Sequence, residues 1–293
     1  MNSIQLFLLI WFYGLGLGSP QRSAPKTECL DCHKPLISQT VMHAVAESCD
    51  NCHTSNGKEH PQKGVAGFTF TEAVPAMCYT CHDKVLSDVQ KSKDLHGAIL
   101  TKRSCVACHS PHSSAQEKLL VAQDKDLCLG CHNRIIATDS THTDNIKQLL
   151  DKSQYVHGAI EGGGCLACHS PHASNNFALL RDVFPQSIYA EGKPENYALC
   201  FSCHDNQLMS TENTTTATQF RDGNHNLHYL HLHGIKGRSC TLCHNVHASA
   251  NPHLINDVTV FGKWEMPIRY KPLEKGGSCY PGCHGEKSYS YGN

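Results

Sequence analysis

Residues 162–172 read GGGCLACHSPH: two thiols, Cys165 and Cys168, stand three positions apart, His169 follows the second, and His172 comes three residues later. The arrangement returns as RSCVACHSPH (103–112) and RSCTLCHNVH (238–247). It decides the fold, because the whole cysteine content of the chain is used in this way. The 293 residues include 18 cysteines, which pair off without remainder. Eight pairs take the form C-x-x-C-H: Cys29 and Cys32 with His33, Cys49 and Cys52 with His53, Cys78 and Cys81 with His82, Cys105 and Cys108 with His109, Cys128 and Cys131 with His132, Cys165 and Cys168 with His169, Cys200 and Cys203 with His204, and Cys240 and Cys243 with His244. The ninth, Cys279-Tyr-Pro-Gly-Cys283-His284, has one extra residue between its thiols.

C-x-x-C-H is the attachment pattern of c-type haem. The thiols form thioethers with the two vinyl groups, and the tether sets the next imidazole beneath the iron. Zinc sites use C-x-x-C pairs but need no histidine fixed after the second cysteine. A disulfide scaffold would not place histidine there either, and a thioredoxin-like redox motif occurs once per domain. The spacing therefore predicts covalently bound haem c at eight sites. The C-x-x-x-C-H site is read as a ninth, with a disulfide or metal site as the competing readings.

Composition agrees. The formal charge of −1 gives no reason to expect a nucleic-acid partner. Beyond the N-terminus the apolar residues are scattered in ones and twos, too thin for a conventional core, so cofactors are expected to fill the interior. Ile4–Gly18 is uncharged and largely apolar, shorter than the roughly 20 residues of a membrane span, and ends in small residues. Residues 1–18 are read as an export signal, leaving 19–293 as one haem-bearing domain.

Four segments share one plan: a histidine, a motif with a second histidine after it, and then a plain motif. They cover about 42–82, 95–132, 156–204 and 230–284, preceded by the lone motif at 29–33. Thirteen of the 22 histidines lie outside the motifs, enough to give every iron a second ligand. Sequence order suggests that His43, His96, His157 and one of His231 or His233 serve the motif that follows. His60, His112, His172 and His247 would serve the preceding plain motifs at His33, His82, His132 and His204, with His228 left for His284. In the HSPH segments the trailing histidine is too close to its own motif to cross to the far side of that haem, so it reaches a neighbouring one. His142, His225 and His253 are read as surface residues. The methionines Met42, Met77, Met209 and Met266 recur at no repeat position and are read as packing. Without methionine ligation, low potentials are expected.

Nine sites in residues 19–293 leave roughly 31 residues per cofactor, too few for stacked layers of secondary structure. The expected fold is mostly irregular with short α-helices and little β, a polypeptide wrapped around a chain of stacked haems. Residues 205–227 are polar and read as a surface loop. Residues 255–277 are the best place for a short β-hairpin, with Trp264 and Tyr270 packing against haem edges.

The alternation of plain C-x-x-C-H with HG…CxxCHSPH resembles the multihaem c-type cytochromes with doubled CxxCH motifs, including the small tetrahaem and decahaem cytochromes of bacterial respiration to extracellular metals. The resemblance covers about 29–284. It implies electron transfer along stacked bis-histidine haems, in a periplasmic shuttle, a porin-embedded conduit or a filament subunit. It also implies redox partners such as a quinol-linked donor, other cytochromes or an outer-membrane porin, and a periplasmic, outer-membrane-associated or extracellular location. The competing function is a multihaem oxidoreductase with one open iron, acting on nitrite or hydroxylamine, for which the site at Cys279–His284 is the place to look.

Overall fold

The computed structural model describes residues 26–137, 142–234 and 236–292. The export signal read at 1–18 lies outside the described residues. Among the described residues no helix is long and apolar enough to cross a membrane.

The polypeptide is mostly irregular, with helices of four to nine residues and sheets of two or three short strands. The two kinds of motif fold differently. The plain motifs begin on short α-turns, Lys26–His33, Ala76–Tyr79, Asp124–Leu129 and Ala198–Phe201. The leading motif of each repeat is tighter, its first cysteine opening or lying within a 3₁₀ turn at Cys49–Asn51, Ser104–Ala107, Cys165–Ala167 and Cys240–Leu242. In all eight the imidazole-bearing residue directly follows the second cysteine, and none of the 18 cysteines is buried.

Side-chain packing is sparse, as the composition requires. Among the described residues eleven hydrophobic side chains are buried. Six of them form two clusters near the C-terminal end, Tyr197 with Met209 and Leu232, and Leu242 with Met266 and Ile268. The hairpin expected within 255–277 forms from Val258–Phe261 and Trp264–Pro267, and its Met266 anchors the second cluster. A three-stranded sheet, Lys271–Leu273, Gly276–Cys279 and Lys287–Ser290, follows it.

Residues 205–227 depart from the surface loop expected of them. Met209 and Asn226 are fully buried, and the segment contains the helix Gln207–Ser210 and the paired strands Arg221–Asp222 and His225–Asn226. Its polar composition concealed this because the burial rests on one methionine and one asparagine, the latter hydrogen-bonded on both sides of its amide.

Candidate haem-binding sites

Eight pairs of imidazoles face one another: His33 with His60 at 5.9 Å between ring centres, His43 with His82 at 6.2 Å, His53 with His112 at 6.1 Å, and His96 with His132 at 6.3 Å. His109 meets His172 at 6.2 Å, His157 meets His204 at 6.1 Å, His169 meets His247 at 6.2 Å, and His244 meets His228 at 6.4 Å. Each pair joins one motif histidine to one from outside the motifs. Paired aromatic rings commonly lie about 4.5–7 Å apart between centres, so it is the recurrence of one motif and one non-motif histidine eight times that singles these pairs out. A metal held between the two rings would give the same separation. Imidazole nitrogens sit about 2.0–2.1 Å from a first-row metal such as zinc; with about 1.1 Å from nitrogen to ring centre, two opposed ligands place the centres about 6.3 Å apart. The donor set therefore fits a six-coordinate haem iron, with the thiols placed for the thioethers.

The pairing follows a rule that sequence order does not suggest. His60 meets His33 as expected. Elsewhere the leading histidine passes over the motif that follows it and meets the plain motif of its own repeat: His43 meets His82 and not His53, His96 meets His132 and not His109, and His157 meets His204 and not His169. The trailing histidine reaches back a full repeat, so that His112, His172 and His247 meet His53, His109 and His169.

The cause is a set of small antiparallel ladders. Val41–Met42 pairs with Ser113–Ser114, Asp94–Leu95 with Ala173–Ser174, and Tyr155–Val156 with Ala248–Ser249. Each continues into a bond from the backbone N–H of the leading histidine to the carbonyl of the next repeat's trailing histidine: His43 to His112 at 2.8 Å, His96 to His172 at 2.9 Å and His157 to His247 at 2.9 Å. One ladder thus presents both outer imidazoles for the two motifs of a repeat.

Among the described residues the fourth repeat has no such ladder. The helix Leu227–Leu232 takes that role, carrying His228 and His231 on adjacent turns of one face. His228 meets His244. His231 lies close enough to His284 for that imidazole to contribute to lowering its pKa. The expected partners were His228 for His284 and His231 or His233 for His244; His228 instead faces His244. The Nδ1 atoms of the two helix histidines are already engaged, His231 with the Leu227 carbonyl at 2.6 Å and His228 with the Thr218 hydroxyl at 3.1 Å, leaving Nε2 of each for a metal. Buried Asn226 caps this helix, its Oδ1 accepting from the N–H groups of His228 and Tyr229, while its amide donates to the carbonyls of Leu208 and Thr211. The supposed surface loop is therefore the support of this helix. His233 is exposed and employed elsewhere, stacked 4.3 Å from Tyr229 with its Nε2 at 2.8 Å from the Met209 carbonyl.

Burial pushes the His228 imidazole down to about 3 and His247 to about 4, each lowered further by a facing histidine, His244 and His169. His96, His112, His157 and His172 are lowered for the same primary reason. A neutral imidazole with a free lone pair is the form that ligates a metal.

The thiols order the sites. Cys78 lies beside Cys105, Cys128 beside Cys165 and Cys200 beside Cys240, each close enough to perturb the other's thiol. Cys52 acts electrostatically on Cys78, Cys131 on Cys108, Cys203 on Cys168, and Cys279 and Cys283 on Cys243. Neighbouring motifs in the chain are thus neighbours in space from Cys52 to Cys283, and His33 lies near enough to His112 to act on it as well.

At the last motif, Cys283 Sγ is 3.4 Å from Met266 Sδ, and the Trp264 indole covers Gly282, leaving no room for a side chain there. Trp264, Arg269, Tyr280 and His284 line an open pocket of about 340 Å³. Tyr270 packs against the Leu242 cluster. Of the histidines read as surface residues, His142 is exposed and bonded to Asp144 at 2.9 Å, and His253 contributes its backbone carbonyl to His244 at 2.8 Å.

This last contact belongs to a group of positions that motif spacing did not disclose. Lys118 and Ala178 present carbonyls to His109 and His169 in the same way. The signal was available: Ser or Ala then Ser follows each trailing histidine (113–114, 173–174, 248–249), and Leu then Leu or Ile recurs at 119–120, 179–180 and 254–255.

Comparisons with known proteins bear on the class of protein that carries these motifs. The family model described as the doubled CXXCH motif matches residues 43–86, 96–137 and 157–209, the first three repeats. The cytochrome c-type protein NrfB of Escherichia coli is 29% identical over 133 residues, 39% of this chain and 68% of its own. The multiheme cytochrome MtrA of Shewanella baltica is 25% identical over 192 residues, 62% of this chain, which spans about half (49%) of that relative. The cytochrome c-type protein NrfH of Wolinella succinogenes is 23% identical over 150 residues, 51% of this chain and 76% of its own. Repeated attachment motifs, matched imidazoles at metal-spanning distance and these relatives lead to one conclusion: the chain is a multihaem c-type cytochrome of the doubled-CxxCH type.

Proposed function

We propose that this cytochrome is an electron conduit holding nine covalently bound haem c groups, each between two histidines, in the order of their motifs from His33 to His284. The observation that carries the reading is the set of eight imidazole pairs at 5.9–6.4 Å, with His231 approaching His284 as the ninth. Bound haem supplies one-electron iron chemistry. The chain's own residues tether each group through two cysteines, close both faces of the iron, and keep successive sites adjacent. Nothing in that arrangement calls for a bound substrate, which is why we favour a carrier over nitrite or hydroxylamine chemistry at an open iron.

The setting we propose is outside the cytoplasm, in the periplasm, at the outer membrane or beyond it, where the apolar N-terminal stretch would direct the chain. A quinol-linked donor, other cytochromes, an outer-membrane porin or further copies in a filament are the partners compatible with this role. The relatives named as NrfB, NrfH and MtrA are cytochromes and support it. Haem quantification combined with low-temperature EPR of the oxidised protein tests the reading. Nine haems with only low-spin ferric signals are expected. A stoichiometric high-spin signal would refute the closed-iron reading and direct attention to nitrite and hydroxylamine as substrates.

A further inference from the structure

The leading motifs of the second, third and fourth repeats are followed by one and the same turn, and its shape is unusual. Lys118 and Leu119 have φ of 56° and 58°, Ala178 and Leu179 of 52° and 57°, and His253 and Leu254 of 56° and 56°. Two consecutive non-glycine residues in the left-handed region are disfavoured by contact between Cβ and the backbone. The turn persists because its surroundings over-determine it. Ser110, Ser170 and Asn245 donate their N–H groups to the carbonyls of Leu119, Leu179 and Leu254 at 2.7, 2.7 and 2.8 Å. Val121, Arg181 and Asn256 donate to the carbonyls of Cys108, Cys168 and Cys243. The hydroxyls of Ser114, Ser174 and Ser249 bond the carbonyls of Leu120, Leu180 and Ile255.

The strained conformation aims one group. The carbonyls of Lys118, Ala178 and His253, each nine residues after the motif histidine, stand 2.8, 2.9 and 2.8 Å from Nδ1 of His109, His169 and His244. Nδ1–H then donates to the carbonyl, which fixes the tautomer and leaves the Nε2 lone pair for iron. A hydrogen bond at this place makes the imidazole a stronger electron donor, which favours ferric over ferrous iron. Among the described residues the plain-motif histidines His82, His132 and His204 have no such carbonyl on Nδ1, whereas His284 has that of Gly285 at 2.6 Å, from the adjacent residue and without the turn.

We propose that these three left-handed turns are potential-setting devices: Lys118, Ala178 and His253 are positioning residues whose carbonyls hold the haems at His109, His169 and His244 at lower potential than the plain-motif haems between them. Electrons would then cross alternating lower- and higher-potential sites. The inference rests on the axial-ligand reading above.

The test uses the nine-haem holoprotein. Proline fixes φ near −65°, so Ala178→Pro cannot keep the left-handed turn, whereas Ala178→Gly can. Potentiometric titration of the proline variant should move one haem upward by about tenfold in its redox equilibrium, about 59 mV for one electron, with Ala178→Gly unchanged. Low-spin EPR and a full haem count in the proline variant, with every potential unchanged, would overturn the proposal. Should that variant fail to assemble, stepwise reduction of the wild type followed through assigned haem-methyl NMR resonances decides the matter. The haems at His109, His169 and His244 should be reduced after those at His82, His132 and His204; the reverse order overturns the proposal. A high-spin iron in the wild type would instead defeat the axial-ligand reading, so the two failures are separable.

Discussion

Replacing His247 by alanine separates the cross-repeat pairing from the sequential one. His247 stands 6.2 Å from His169 and contributes its carbonyl to the ladder through His157 N–H. That bond uses the main chain, so alanine removes the imidazole and leaves the ladder in place. If His247 closes the iron at His169, the variant opens one iron of nine, and about 11% of the haem becomes high-spin in the ferric state and takes up carbon monoxide when reduced. The single variant shows that one iron opens without showing which. Carrying the same change in a Cys165→Ser, Cys168→Ser background resolves this by the logic of a double-mutant cycle, because that protein has no haem at His169. His247→Ala should then add no high-spin signal at all. New high-spin haem in the thiol-free background would mean that His247 serves another site, as the sequential assignment to His204 requires, and the ladder argument would be wrong.

Gly67→Ala places a Cβ 2.6 Å from the His60 Cβ, too close to the main chain for the ring alone to yield; the expected result is one high-spin haem by EPR, at the His33 site. Asn226→Ala removes the cap of the Leu227–Leu232 helix and takes the amide donor from the carbonyls of Leu208 and Thr211. Its expected cost is about 2–3 kcal/mol, read as a lower denaturation midpoint of the holoprotein, together with loss of low-spin signal at the two last sites. Cys279→Ser with Cys283→Ser should lower the haem count by one in intact-protein mass spectrometry, and an unchanged count would refute a ninth haem.

What the sequence disclosed divides along a physical line. Attachment is local: two thioethers and one imidazole are fixed within five residues, so Cys165, Cys168 and His169 can be read as a unit without any tertiary information. The second imidazole is a matter of tertiary structure. His112, His172 and His247 lie close in sequence to their own motifs, yet each is delivered a full repeat away by a two-residue ladder. Those ladders are too short to leave an alternation of apolar and polar residues. The turn that holds Nδ1 of His109, His169 and His244 left a repeat signature in Ser114, Ser174 and Ser249, but it acts through main-chain carbonyls, which side-chain chemistry does not announce. Asn226 was concealed for a related reason, since a single buried cap in a polar stretch reads as one more loop residue.

The ladder rule also bears on the fourth repeat. Each repeat depends on its successor for the imidazole that faces its leading motif, so a simple tandem would leave its last leading motif without one. Here the helix Leu227–Leu232, inserted ahead of the last leading motif, sets His228 opposite His244 in place of a trailing histidine and, on the proposed pairing, brings His231 to His284 in place of the ladder's leading one. At the other end the lone motif at His33 takes His60 from the first repeat and completes the same scheme. On the proposed ligation each described site takes both imidazoles from one chain, and a histidine lent by a neighbouring copy would find its position already taken. If copies of this cytochrome join end to end, the joint must therefore rest on surface contacts, and its strength should be unaffected by removing any histidine outside the nine sites, His233 and His142 included. Loss of assembly on changing either residue, followed by light scattering, would show that an imidazole does pass between copies.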